Sequence, residues 1–384
     1  MIFFKYFLLY IIFNNFIKYI VNKNINNINF SSIRTKRKVI GEVIYKWTLP
    51  IPYYVDKNLD HNLIKIALNE IEYNTCIRFR QMNEMIDGIS GIQYYFGNTC
   101  SSKVGRVLGK IWQRISIGDD CNEKGRIQHE TLHALGIDHE HSRYDRHNFI
   151  YLIEKNVADE YKHNFLVVSE INSNTFNIPY DYGSIMHYDM YSFSKNGNPT
   201  MIPKDELYKT TIGHVHSFSF NDIKTVNLYY CAKKCSVKIY CFNGGYQNPN
   251  KCNTCICIEG FVGYNCRYFQ KSKNFCGITT FIAHKISKEI KNGGNKYCIY
   301  HIKTLKRYKI GIKLNFVNIQ TVEKKICEPD NSLEIKYWED KTVTGARFCG
   351  IIIGTTFISK NDYVIIYFRS NNMGSNFKIT FKRI

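Results

Sequence analysis

Apolar residues recur with two different periods along this chain, and those periods divide it into parts before any chemistry is considered. Between Asp60 and Asn74, Ile64, Ala67, Leu68 and Ile71 fall at i, i+3, i+4 and i+7, which predicts an amphipathic helix with one buried face. Strand-like runs surround Trp47, Tyr53 and Val55. Between Ile89 and Ile117, β-branched and aromatic runs are separated by Gly91, Gly97, Gly105 and Gly109, the pattern of short strands. Further on, Ser219-x-x-Asp222 is a capping box ahead of Ile223, Val226, Asn227 and Tyr230; a helix should start there and carry Cys231 to a domain edge. In Tyr363-Val364-Ile365-Ile366-Tyr367-Phe368 and Phe377-Lys378-Ile379-Thr380-Phe381 the pattern is that of strands in a β-sandwich. Near the start, the apolar run Phe7–Phe13 follows Lys5. It is too short to span a bilayer and fits the core of a signal peptide over residues 1–21, with a signal anchor over 2–21 as the alternative.

Composition adds a compartment and a charge. The 384 residues suffice for two or three domains, and fourteen cysteines point to disulfides and an oxidising, extracellular setting. Six of them, Cys235, Cys241, Cys252, Cys255, Cys257 and Cys266, crowd into one short stretch, where crosslinks must replace a core. A zinc site on Cys252-x-x-Cys255 is the weaker rival. Four more fall into two equally spaced pairs, Cys276/Cys298 and Cys327/Cys349. The formal charge is +20, and residues 267–384 hold 22 Lys/Arg against 8 Asp/Glu, 22 − 8 = +14. Such a basic module suits acidic partners such as sulfated glycans. Its lysines are dispersed, which reads first as compositional drift and gives no dense run of nucleic-acid type.

Candidate chemistry concentrates in residues 129–146. His129 and His133 are four apart, so on a helix their imidazoles share a face. Gly136 can stop that helix and reverse the chain, bringing His139 towards the same point. Three neutral imidazoles leave a coordination position open, the plan of a catalytic zinc site, and Glu130 stands beside the first of them as a proton acceptor.

The run His-Glu-x-x-His-x-x-Gly-x-x-His-Glu-x-x-Arg-x-Asp-Arg, with Glu140, Arg143, Asp145 and Arg146 in its second half, resembles the signature of the astacin family of zinc endopeptidases, a branch of the metzincins. Ser184-Ile185-Met186-His187-Tyr188 resembles the family's Met-turn, and Thr75-Cys76-Ile77-Arg78-Phe79 and Cys100-x-x-x-Val104-Gly105-Arg106 are also astacin-like. Cys241-Phe242-Asn243-Gly244-Gly245 and the Gly-Phe-x-Gly-Tyr-x-Cys run ending at Cys266 resemble an EGF module; the last third resembles a CUB domain in length and cysteine spacing. The order is similar to that of many nematode astacins. The implied fold is α+β: a two-lobed metzincin-type catalytic domain over 38–231, a disulfide-rich EGF-like module over 232–267 and an all-β CUB-like sandwich over 268–384.

The resemblance implies one Zn²⁺ per chain held by His129, His133 and His139, with Glu130 as general base and then acid, Tyr188 as fifth ligand and oxyanion donor, and Met186 as an apolar floor. It implies a structural role for Glu140, meeting the freed amino terminus, and disulfides Cys76–Cys231 and Cys100–Cys121; spacing alone leaves connectivity open. Residues 22–37, ending in Arg34-Thr35-Lys36-Arg37, read as a short propeptide with a dibasic cleavage site. Astacin propeptides usually carry an aspartate that occupies the zinc, and no Asp or Glu lies between residues 1 and 41. Simpler readings stand beside these: His187 is structural, His141 and His147 are surface histidines, and His214-x-His216, which could hold a metal on one strand face, reads first as part of a loop or domain rim. Gly213 also lacks the Gln-Arg that astacins often carry after it. The expected activity is secreted, zinc-dependent hydrolysis of peptide bonds in extracellular or cuticular proteins, with protein or peptide substrates, matrix contact through the basic region, and neither nucleic acid nor a membrane span. The alternative is a non-catalytic adhesion protein acting through its EGF-like and CUB-like modules.

Overall fold

The computed structural model of this chain describes residues 37–40, 46–170, 173–271, 273–321 and 326–384; the expected leader and nearly all of the expected propeptide lie outside them. The first sheet follows from alternation. In β1 (Ile51–Val55), Ile51, Tyr53 and Val55 are buried while Pro52 and Tyr54 are half-buried, the signature of a strand with one face on a core. Its partners are β2 (Phe79–Gln81), β3 (Gly91–Phe96), the edge strand β4 (Ser101–Ser102) and β5 (Trp112–Ile117), in the order β2-β1-β3-β5-β4. All pairings are parallel except β4 with β5.

Helix α1 (His61–Asn74) starts at Asp60, whose carboxylate accepts from the Asn62 and Leu63 amides, satisfying two of the first-turn donors. Its buried face is Ile64, Ala67, Leu68 and Ile71. Beside it lies α2 (Lys124–Ala134), joined to α1 by Gln128 donating to Glu70 at 2.8 Å and by the Lys124–Glu70 ion pair at 2.9 Å. The described part of residues 135–219 holds no α-helix and is mostly irregular chain with short 3-10 turns, ending in α3 (Phe220–Tyr230). The capping box is formed: Ser219 Oγ accepts from the Asp222 amide and Asp222 accepts from the Ser219 amide. Cys76 is bonded to Cys231 across 155 residues, a closure that removes about 5 kcal/mol of unfolded-chain entropy in the loop-closure model. Cys100 is bonded to Cys121.

The six-cysteine stretch pairs first with third, second with fourth and fifth with sixth: Cys235–Cys252, Cys241–Cys255 and Cys257–Cys266. Two short two-stranded ribbons accompany these crosslinks. The sandwich follows. One sheet holds β6 (Thr280–Ile282), β8 (Lys296–Lys303), β13 (Tyr363–Ser370), β10 (Ser332–Lys336) and β11 (Ala346–Phe348), in that order. The facing sheet holds β7 (Lys288–Gly293), β14 (Asn376–Arg383), β9 (Ile310–Ile319) and β12 (Gly350–Ile358). Alternate residues fill the space between them, Ile310, Ile312 and Leu314 from β9 and Phe377, Ile379 and Phe381 from β14, as packed sheets require. Cys276–Cys298 and Cys327–Cys349 crosslink it.

Lys36–Ile384 is one compact unit. A single apolar cluster runs from Ile150, Tyr180, Tyr182, Met201, Tyr208 and Ile212 into the sandwich interior at Tyr337, Ala346 and Phe348. The sandwich is therefore packed onto side chains of the segment 150–212. A three-way ion cluster stands beside this seam: Glu334 accepts from Arg369 at 2.9 Å, from Arg347 at 3.3 Å and from the Gly345 amide at 2.9 Å. Burial alone would raise the Glu334 carboxyl, yet Arg369, Arg347 and Lys336 outweigh it and hold the group at about 2. A carboxyl depressed in the fold stabilises above its unfolded pKa and loses that contribution as pH falls towards the folded one. Thermal unfolding should therefore show stability declining as pH drops from about 4.5 towards 2, and Glu334→Gln should flatten that slope while lowering stability at neutral pH.

Candidate metal centre

Helix α2 ends just after its second histidine, and the way it ends decides where the third one goes. Gly136 sits at φ +96°, a left-handed conformation that costs glycine little. The Gly136 amide donates to the His133 carbonyl at 2.7 Å and the Ile137 amide to the Leu132 carbonyl at 3.0 Å, the paired bonds of a Schellman stop. Two residues later His139 turns back beneath α2. The ligand nitrogens of His129, His133 and His139 all lie within 4.8 Å of one another, and His133 Nε2 and His139 Nε2 are 3.1 Å apart.

Each helical imidazole is oriented from behind. His129 Nδ1 donates to the Ile185 carbonyl and His133 Nδ1 to the Ile137 carbonyl, both at 2.8 Å. A carbonyl only accepts, so the proton is on Nδ1 and the Nε2 lone pair faces the cluster. Burial, with the neighbouring His133, pushes the His129 imidazole down to about 3, and burial pushes His133 down to about 4; both are neutral at physiological pH. Lone pairs gathered this closely fit a shared cation at Zn–N distances of about 2.0–2.1 Å. Glu130 supplies the second sign of fit. Its Oε2 is buried with no hydrogen-bond partner among the described residues, and burial pushes its carboxyl up to about 8, only partly offset by Arg126.

The segment 181–188 forms the floor. Asp222 of α3 accepts from Ser184 Oγ at 2.5 Å and from the Ile185 amide at 3.0 Å, fixing the turn whose Ile185 carbonyl holds His129. The Met186 side chain is fully buried with Ile185 in the core formed by α1, α2 and the first sheet, and the Met186 carbonyl accepts from the Glu140 amide at 2.9 Å. Tyr188 lies half-buried with its ring centroid 4.4 Å from that of His139, and burial raises its phenol, as do Glu130 and Asp138. Glu140 is buried, accepting from Arg143 at 3.1 Å and from the Asp181 amide at 2.9 Å, while Arg143 grips Asp145 with two bonds of 2.8 Å. His129, Glu130, His133, His139, Ile185 and Tyr188 line a cleft of about 780 Å³.

Matching against protein-family models falls on two parts of the chain. Residues 39–231 match the astacin peptidase family. The chain belongs to the astacin family. Residues 280–381 match the CUB domain, so the sandwich is a CUB domain behind an astacin domain. Among curated relatives, zinc metalloproteinase nas-34 of Caenorhabditis elegans is 33% identical over 95% of this chain, and nas-37 of the same organism is 35% identical over 88%. The chain spans 60% of the length of the first and 43% of the second. Among solved structures, high choriolytic enzyme 1, a hatching-enzyme zinc-protease from Oryzias latipes, is 30% identical over 52% of this chain and 96% of its own, with a TM-score of 0.43. Membership of this family implies zinc at the histidine cluster.

Two histidines, His141 and His214, sit differently from their sequence reading. His141 is buried, not on the surface: it stacks on Tyr188 with ring centroids 4.1 Å apart and bonds to the Asn164 carbonyl. Its packing under Tyr188 is tertiary, so no spacing rule marks it. His214 is likewise interior, its Nε2 donating to the Gly183 carbonyl at 2.8 Å. His216 is exposed, 3.8 Å from Asp330 of the CUB domain. His147 is exposed and His187 is buried against Tyr180. Replacing Gly136 with alanine should cost about 1 kcal/mol or more in denaturant unfolding and weaken metal retention, because a Cβ would strain the left-handed Schellman stop that aims His139.

Proposed function

We propose that this astacin-family chain is a secreted zinc-dependent endopeptidase that hydrolyses peptide bonds in extracellular or cuticular proteins. The observation that carries the proposal is the pairing of three converging neutral imidazoles with a buried, partnerless carboxylate oxygen one residue from the first of them. When bound, one zinc ion per chain would polarise the scissile carbonyl and lower the pKa of attacking water towards about 7. His129, His133 and His139 would hold it, and as neutral donors they leave its charge undiminished.

Glu130 takes up a proton from the attacking water and returns it to the departing amine. Tyr188, kept protonated by its surroundings, presents an O–H donor to the oxygen on which negative charge develops. An extended substrate has a template in β4, whose outer edge is unpaired among the described residues and whose Ser101 and Ser102 line the cleft; a strand added there would gain backbone hydrogen bonds. Met186 and Glu140 support this arrangement from beneath without touching substrate.

The setting is extracellular, supported by all fourteen cysteines being paired in seven disulfides and by the expected leader over 1–21 and propeptide over 22–37. No helix among the described residues is long and apolar enough to cross a membrane. The EGF-like module over 232–267 and the CUB region over 268–384 serve protein contacts, with the lysines of the latter available to sulfated matrix.

Purified full chain should carry about one equivalent of zinc by elemental analysis. Glu130→Ala should keep the zinc and lower peptide hydrolysis by about 10²–10⁴-fold; unchanged hydrolysis would exclude the mechanism. Tyr188→Phe should lower kcat by about 10²-fold with little change in KM.

A further inference from the structure

The cleft that holds the three histidines is not walled by the astacin domain alone. Ile326, Glu328 and Pro329, all from the CUB domain, line the same cavity as His129, Glu130 and His216. They are held there by backbone, not by a flexible tether. The Cys327 amide donates to the Thr210 carbonyl at 2.7 Å, Thr210 Oγ1 donates to the Arg347 carbonyl at 2.7 Å, and the Arg347 amide donates to Thr211 Oγ1 at 2.8 Å. Cys327 is also crosslinked to Cys349 at the far end of β11. Nearer the floor, the Thr344 amide donates to Asp181 Oδ1 at 3.0 Å. A Cβ on Gly183 would stand 2.4 Å from the Thr344 side chain, so only glycine permits that approach. The CUB strands thus rest on the segment that carries Ile185, Met186 and Tyr188.

Charge on this wall is uneven. Asp189 is occupied by the Tyr191 amide and Ser192 Oγ. Arg126 lies 4.0 Å from Glu123, and Asp330 lies 3.8 Å from His216. Glu328 has no ion pair or side-chain hydrogen bond among the described residues, is only half-buried and faces the cleft. Beside it, a ring nitrogen of His216 and carboxylate oxygens of Glu328 and Asp330 all lie within 4.8 Å of one another, so two carboxylates gather at this rim, while Arg126 also lines the cleft.

Building on the proposed peptidase reading, we propose that the CUB domain forms one wall of the substrate cleft and that Glu328 on that wall selects substrates carrying lysine or arginine beside the scissile bond. The CUB domain is then part of the substrate site itself, beyond any separate role as a recognition arm. Glu328 is a specificity residue; it takes no part in the bond-breaking chemistry.

The test uses full-length, zinc-loaded protein and peptides of one sequence with Lys, Ala or Glu placed in turn at the three residues on either side of the scissile bond. Binding is read by fluorescence anisotropy on the Glu130→Ala form, and hydrolysis on the form with Glu130 intact. In the Glu130→Ala form, a Lys peptide should bind better than its Glu counterpart at one or more positions. Glu328→Gln should shrink that preference by about threefold, Glu328→Lys should invert it, and Glu328→Asp should keep most of it. Affinity for the Ala peptide should stay within about twofold throughout. A Lys-over-Glu preference that is missing, or that Glu328→Lys leaves unaltered, would overturn the inference even if hydrolysis proceeds. A Glu328-dependent binding preference without hydrolysis by the intact form would retain the wall and remove the peptidase reading.

Discussion

Asp222 is the group on which the rest of the architecture around the histidine cluster hangs. From the first turn of α3 it closes its own helix cap and at the same time receives Ser184 Oγ and the Ile185 amide. That grip sets the turn at 184–188, and the turn sets three further things: the Ile185 carbonyl that orients His129, the Met186 carbonyl that receives Glu140, and the position of Tyr188 beside His139. A buried carboxylate is costly unless its lone pairs are filled. Asp222 fills its own with the atoms that must be held still, so the requirement for satisfaction and the requirement for a rigid site are met together.

The same segment faces a second partner on its other side. Asp181 and Gly183 meet Thr344, and the apolar cluster beneath them continues without interruption into the sandwich. Interfaces between domains of one chain are usually smaller and more polar than a core, and relative motion is then the default. Here Tyr182, Tyr208, Tyr337 and Trp338 interlock around Asp205, which accepts from Trp338 Nε1 at 3.0 Å and from the Tyr337 hydroxyl. A seam of that kind transmits position, so the histidine site and the CUB domain share a foundation.

Charge is handled differently on the two sides of that foundation. At the metal centre, burial drives the imidazoles neutral, which suits them to donate lone pairs. In the sandwich, Glu334 stays ionised because Arg369 and Arg347 surround it. Desolvation acts at both places; the outcome depends on whether an opposite charge is close enough to outweigh it.

The sequence by itself determined what depends on short-range order. The period of α1, the Asp222 capping box, the i, i+4 histidines with Gly136 as the stop, and the alternation of β13 and β14 are local patterns, and local geometry turns them into the same elements in any setting. The astacin and CUB assignments follow from runs of that kind. Only the tertiary structure decided which distant surfaces would meet. His141 beneath Tyr188, His214 on the Gly183 carbonyl, and Glu328 at the cleft wall join residues whose separation along the chain carries no period. Loop lengths here leave many packings open, and what selects one is the fit of apolar side chains across the seam together with the filling of each buried polar group, neither of which is written in any single stretch of the chain.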